Sequence, residues 1–165
     1  MAWLVGAFLI LLFCFSFVLL YGAPYVPTLR PQIHAALELI NLKPGETLLE
    51  LGCGDGKVLI AAAQTGLHAV GYELNPVMAL IAWARTRRFK GQVRVVWGSF
   101  WDQPWPAEAT GIFTFLHPRF MKRLDKKITQ SNLLDVKLVS FAFEIPDKKP
   151  LKYKGGVFLY QYNER

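Results

Sequence analysis

The stretch from residue 47 to residue 75 limits the fold of this chain more than any other part of it. A short apolar run, Thr47 to Leu51, leads into Gly52-Cys53-Gly54-Asp55-Gly56. A helical pattern follows from Lys57 to Thr65, with Gly66 as its stop. Glycines between a strand and a helix allow a tight turn and a close approach of backbone to a ligand, and the helix N-terminus adds partial positive charge. His68 to Tyr72 reads as the next strand, and Glu73 closes it. An acid about 20 residues beyond such a loop lies at the carboxyl edge of the neighbouring strand, where it can accept both hydroxyls of a ribose. The bland alternative is a glycine-rich turn with no ligand.

The spacing separates two kinds of nucleotide ligand. A dinucleotide site carries G-x-G-x-x-G, which would put its third glycine at position 57, and Lys57 stands there. Glu50 precedes the loop. A carboxylate in that place repels a pyrophosphate but suits a cofactor that bears an ammonium group, which favours S-adenosylmethionine.

The same alternation continues along the chain. Pro76 to Phe89 reads as a helix, opened by Asn75 as cap with Pro76 at its first position. Strands are expected at Val93 to Trp97, Gly111 to Leu116 and Lys137 to Glu144, with a basic amphipathic helix from Pro118 to Thr129. A lysine-rich turn then leads to a closing strand, Val157 to Tyr162. Ahead of the loop, Thr28 is expected to cap a short helix running to about Asn41, with Ile33, Leu37 and Ile40 on one face. Strands alternating with helices predict an α/β fold with a largely parallel sheet covered on both sides.

The N-terminus has a different character. No charged residue occurs from Ala2 to Gly22, and the first anywhere is Arg30. As a helix that segment would span roughly 31 Å, close to the hydrocarbon thickness of a bilayer. Trp3 and Tyr21 lie near its two ends, where aromatic rings favour the headgroup level. It is expected to be one transmembrane helix. A cleaved signal peptide would want a basic leading region, which is missing, and a buried core helix would be unusually apolar on every side. Arg30 and Lys43 follow the segment and no basic residue precedes it, so the domain is expected on the cytoplasmic side. The expected organisation is an anchor at 1–22, a connector and short helix at 23–46, and a cofactor-binding domain at 47–165.

Composition agrees with an anchored domain: 53% of residues are hydrophobic and mean hydropathy is +0.25. Net charge is +7, with basic clusters at 85–90, 119–127 and 148–154. Anionic lipid headgroups are one partner for such clusters and nucleic acid another, the first being preferred for a tethered domain. Cys14 and Cys53 do not form a disulfide framework. No metal-ligand set is discernible, because His34, His68 and His117 are scattered.

Glu50-Leu51-Gly52-Cys53-Gly54-Asp55-Gly56, followed by Glu73, resembles the cofactor motifs of class I methyltransferases. The apolar N-terminus, Pro24-Tyr25-Val26-Pro27-Thr28, Gln32-Ile33 and Gly71-Tyr72-Glu73-Leu74-Asn75-Pro76 narrow the likeness. Together they are similar to the small membrane-anchored protein-lysine methyltransferases that act on the ATP synthase c subunit and the adenine nucleotide translocase of mitochondria. The likeness runs from the anchor to about residue 162. It implies a Rossmann-like class I methyltransferase sandwich, its sheet mostly parallel with an antiparallel last strand, preceded by one transmembrane helix. A bacterial or archaeal relative fits as well as one in the mitochondrial inner membrane.

The resemblance also implies the site. Glu50 would face the amino-acid end of S-adenosylmethionine, Gly52, Cys53 and Gly54 would line its methionine and ribose portion, and Glu73 would bind the ribose. Leu74, Ser99, Phe100 and Leu116 would complete the cofactor pocket. Many class I enzymes carry an Asp at position 99 for the adenine amino group. Ser99 departs from that pattern, leaving adenine to a backbone group and the Phe100 ring, although Phe100 and Trp101 read equally well as core. After the fourth strand stands Phe115-Leu116-His117-Pro118, which lacks the [DNS]-P-P-[YFW] motif of base-amine methyltransferases.

Methyl transfer to an amine needs positioning and a lost proton rather than a metal or nucleophile. Tyr25, Thr28 and His117 are the candidates to orient or deprotonate the amine; each also has a plain role, in packing or as a cap. The expected reaction is methylation of a lysine on a membrane protein, with nucleic acid the less expected partner. A small-molecule, lipid or RNA acceptor, and a cofactor-binding scaffold without activity, remain the alternatives.

Overall fold

The computed structural model describes residues 27–162, together with residues 1, 3–6 and 8. Among residues 27–162 four helices, α1 (Arg30–Ile40), α2 (Lys57–Gln64), α3 (Pro76–Thr86) and α4 (Met121–Gln130), surround one sheet. Its strands are β1 (Thr47–Leu51), β2 (His68–Glu73), β3 (Val93–Trp97), β4 (Ala109–Thr114), β5 (Val136–Phe141), β6 (Lys152–Lys154) and β7 (Val157–Tyr162). They are ordered β3-β2-β1-β4-β5-β7-β6. The first five run parallel, while β7 lies antiparallel between β5 and β6. The expected α/β Rossmann-like sheet with an antiparallel last strand is therefore present.

Side chains alternate across a strand, so each strand feeds two cores. On one face Leu48, Ala69, Phe113 and Val139 pack under α1, α2 and α3. On the other, Leu49, Leu51, Ile112 and Leu138 pack under α4. All five residues of β1 are buried, as a central parallel strand requires. The chain runs outward from β1 to β3, then returns to β4 on the other side of β1. That reversal opens a crevice beyond the carboxyl ends of β1 and β4, the ligand position in open α/β sheets.

Several boundaries differ from expectation. β4 starts at Ala109 and ends at Thr114, and β5 stops at Phe141 because Ala142 turns left-handed (φ 68°) and its N–H bonds to Gly156 O. The helix expected from Pro118 is a 3₁₀ turn, Pro118–Phe120, before α4, and Arg87–Phe89 similarly closes α3 as a 3₁₀ turn. The supposed lysine-rich turn contains β6, an exposed edge strand whose Lys-Tyr-Lys sequence has no buried face to reveal it. Thr28 does not cap α1. The cap position is Leu29, with no side-chain bond, and Pro31 in the first turn lacks the N–H that a cap would serve. Asn75 does cap α3, its Oδ1 accepting from the N–H groups of Val77 (2.9 Å) and Met78 (3.2 Å).

The expected membrane segment and Tyr25 lie almost entirely outside the described residues. Among the described residues no helix is long and apolar enough to cross a membrane.

Candidate active site

The loop after β1 is fixed by its neighbours. The N–H groups of Gly52 and Cys53 both donate to Tyr72 O, at 3.0 and 2.9 Å, which draws the loop across the end of β2. Gly56 adopts φ +80°, and a side chain there would meet Ala82 of α3 at 3.3 Å. The bare backbone is thus what lets the loop seat against the helix. Gly71 of β2 is confined further, since a Cβ would come within 2.7 Å of both Cys53 Cβ and Leu59 Cδ1. Gly71→Ala is expected to cost about 1–3 kcal/mol by overpacking. Urea unfolding reads this as a lower midpoint at unchanged slope; an unaltered midpoint would refute the packing argument.

Glu73 is gripped from both sides. Its Oε2 accepts from Gly54 N–H and its Oε1 from Asn75 N–H, each at 2.8 Å. Burial raises its pKa above the ordinary carboxyl value, while the backbone N–H groups of Asn75, Gly54 and Leu74 pull it back. Glu50 is more extreme. It is 4% exposed, and its Oε2 is buried without a hydrogen-bond partner. Burial pushes its pKa well above the ordinary value, and the charges of Glu73 and Asp55 add to the effect. Asp55 forms ion pairs with Arg85 of α3 and with Lys57. Glu50 and Glu73 have no cationic partner among the described residues. Burial also pushes the Cys53 thiol up, so it is a packed, unreactive group.

These groups open onto one cavity of about 320 Å³ at the carboxyl edge of the sheet. Glu50, Gly52, Cys53, Gly54, Glu73 and Leu74 form its acidic end. Ser99, Phe100 and Trp101, after β3, form one wall. Ser99 Oγ accepts from Trp101 N–H (3.2 Å), and the Phe100 and Trp101 rings lie 4.5 Å apart while also packing on the α4 core. Thr28, Leu116 and His117 line it as well, with Phe115, Phe120 and Phe143, aromatic residues that follow β4 and β5 across β1 from the strand carrying Glu73. So the structure brings every expected site residue except Tyr25, which lies outside the described residues, to one cavity. Met78, Phe115 and Phe143 were missed. Position alone could have marked them: Met78 is in the first turn of a helix beside the loop, and the two Phe residues follow β4 and β5.

His117 is exposed, and its Nδ1 accepts from Arg119 N–H (3.3 Å), capping the 3₁₀ turn. That bond occupies Nδ1 and leaves Nε2 as the nitrogen that can meet another partner. A second cavity of about 620 Å³ lies on the other side of Trp101, lined by Trp105, Arg123, Lys126 and Lys127.

A sequence model of the family described as the ANTKMT methyltransferase domain matches residues 50–152. The chain belongs to this methyltransferase family. It is 30% identical over 131 residues to the human lysine N-methyltransferase of the ATP synthase c subunit, a match that takes in 77% of this chain and 54% of that protein. It is 29% identical over 136 residues to the mouse adenine nucleotide translocase lysine N-methyltransferase, covering 80% and 58%. With the protein-lysine N-methyltransferase of Saccharolobus islandicus the identity is 30% over 153 residues, covering 86% of this chain and 94% of that one. The chain thus spans about half the length of its animal relatives and nearly all of the archaeal one. Among solved structures, the Salinibacter ruber RNA methyltransferase bound to S-adenosyl-L-homocysteine superposes with a TM-score of 0.80 at 24% identity. It covers 85% of this chain and 95% of that one, and supports the fold. The resemblance drawn from the sequence motifs is borne out.

S-adenosylmethionine is the cofactor of this methyltransferase domain. The residues present fit it. An unpartnered buried carboxylate beside two others calls for a cation, and the cofactor's ammonium and sulfonium groups are cationic.

Proposed function

We propose that this chain is a membrane-associated protein-lysine N-methyltransferase. The observation that carries the proposal is one cavity lined both by three carboxylates, Glu50, Asp55 and Glu73, on β1, its loop and β2, and by Phe115, Phe120 and Phe143, which follow β4 and β5. Glu50 faces the amino-acid end of the cofactor, while Gly52, Cys53 and Gly54 follow its methionine and ribose portion. Glu73 accepts the ribose hydroxyls with the lone pairs that Gly54 and Asn75 leave free. Leu74, Phe100 and Leu116 enclose the nucleoside, and Ser99 shapes the turn that presents Trp101. When bound, S-adenosylmethionine would supply an electrophilic methyl group: the lone pair of a neutral amine would form the N–C bond as the S–C bond breaks, leaving a thioether and a methylammonium.

The aromatic end receives the acceptor. Its rings exclude water, and desolvation favours the neutral amine that a lysine must present. A lysine ammonium must give its proton to solvent before it enters, and the desolvated aromatic lining then keeps the amine neutral. Thr28, a lining residue, orients the amine, and Tyr25 is the other residue proposed for that role. His117 lines the same cavity with its Nδ1 already engaged by Arg119 N–H.

The charge-free segment at 1–22 anchors the domain at 47–165 through the connector at 23–46, with the domain on the cytoplasmic or matrix side of its membrane. Tethering confines enzyme and acceptor to one surface and raises their effective concentration. The basic cavity beside Trp101 favours one second reading, an RNA acceptor. Radiolabelled S-adenosylmethionine incubated with the full chain, membrane fractions and total RNA separates the two. The expected label is in protein, survives ribonuclease and maps to lysine. Label removed by ribonuclease refutes the lysine reading.

A further inference from the structure

The helix α3 has an unusual composition for its position. From Pro76 to Ala84 it carries no charged residue on any side. Its inner residues Ala79, Ala82 and Thr86 pack toward the sheet, as expected. Its outer residues are exposed. Leu80 is 63% exposed, Trp83 53% and Ile81 38%. A helix apolar all round is normally buried on all sides. Beside it Trp97, at the end of the edge strand β3, is 67% exposed, its Nε1–H donating to Leu74 O ahead of α3. Basic residues follow the helix: Arg87, with its guanidinium 5.2 Å from the Trp83 ring, then Arg88 and Lys90 in and after the 3₁₀ turn that closes α3. No acidic residue occurs between Glu73 and Asp102.

We propose that the outer face of α3, with Trp97, docks on the surface of an anionic lipid bilayer. Exposed aliphatic and tryptophan side chains bordered by arginine and lysine are what an interfacial helix presents: its apolar face enters the acyl boundary while its cations meet headgroup phosphates. Charge complementarity selects the lipid, because Arg87, Arg88 and Lys90 adjoin the apolar face, while Asp55, the acid that reaches α3, is already ion-paired with Arg85 and Lys57. Nucleic acid would satisfy those cations but has no use for Leu80 and Ile81. An acidic protein would face the same cations without a reason for tryptophan at the border. Leu74, Asn75 and Met78 of the same segment line the cavity, so docking would set the cavity mouth beside the bilayer surface, where a membrane-protein lysine emerges. The inference rests on the membrane reading proposed above.

The test uses the full chain with vesicles of phosphatidylglycerol and acyl-brominated phosphatidylcholine. The bromines quench tryptophans that reach the acyl region. The expected result is that the emission removed by Trp83→Phe, and separately by Trp97→Phe, is emission that brominated lipid quenches. Arg87→Gln together with Arg88→Gln is expected to lower occupancy of the docked state about 10- to 30-fold. Leu80→Ser lowers it as well, and retained S-adenosylmethionine binding shows that each variant is folded. A chain that floats with the vesicles but whose Trp83 is not quenched overturns the docking face and leaves the anchor standing. A chain that stays in the aqueous fraction overturns both. Equal protection of Trp83 from aqueous acrylamide with and without vesicles means that protein covers the face, and overturns it. Protection by single-stranded RNA instead of vesicles also overturns it.

Discussion

Glu73→Ala is expected to weaken S-adenosylmethionine binding by about 10- to 100-fold, the loss of charge-assisted hydrogen bonds worth about 1.5–3 kcal/mol. Two effects contribute to that loss. The carboxylate would lose its bonds to the ribose, and the N–H groups of Gly54 and Asn75 would lose their common acceptor. An analogue of S-adenosylhomocysteine lacking the 2′-hydroxyl separates them. Wild-type protein should discriminate against the analogue in calorimetry, and the alanine variant should bind the two ligands nearly alike, because the interaction exists only when both partners are present. Undiminished affinity in the variant would remove Glu73 from the site. Equal discrimination by both proteins would leave it only a loop-holding part.

Glu50→Gln is expected to act in opposite directions on the free and the bound protein. In the free protein Glu50 is buried with an unpartnered oxygen, and its pKa lies well above the ordinary value of 4.5. The folded protein therefore holds that proton to higher pH than the unfolded chain does. Stability from this group is complete below about pH 4.5 and is lost as pH rises through the raised pKa. Gln removes that loss and should raise the unfolding midpoint at neutral pH. A cationic ligand favours the ionised carboxylate, so cofactor affinity should rise with pH until Glu50 is ionised, by up to about tenfold per pH unit. Binding in that range must release a proton. Calorimetry in buffers of different ionisation enthalpy should find the released proton in the wild type, and little of it in Glu50→Gln. Glu73, whose pKa is also raised, leaves a smaller residual slope. Affinity in the glutamine variant should fall about tenfold or more, as expected for a lost hydrogen bond to a charged group. An unchanged affinity would place the cofactor's ammonium elsewhere.

What could be read from the sequence is what short-range geometry decides. Gly52 to Gly56, Glu73 and the Asn75-Pro76 cap are each recognisable within a few residues, because turn, edge and cap each demand particular residue types. The loop and the acid that closes β2 were therefore legible, whereas Met78 beside them was not. The aromatic end was not, since Phe115 and Phe143 reach one cavity only once β4 and β5 pair, with Phe113 opposite Val139. Thr28 was misread for a related reason: a Thr ahead of a helix reads as a cap, whereas the chain starts α1 two residues later and turns Thr28 to the cavity. The strand β6 escaped because an edge strand exposed on both faces has no alternation to display.

The close approach of Gly56 to Ala82 has a consequence for how relatives of this protein can vary. The loop and α3 meet with no spare room, so neither position can gain volume alone without lifting the loop off the helix and reshaping the cavity above it. Across the family, the two positions should drift as a pair: where residue 82 is larger, the helix must stand further out, and where it is small, residue 56 should stay glycine. A lineage carrying a bulky residue at both, with an unshifted helix, would contradict this coupling.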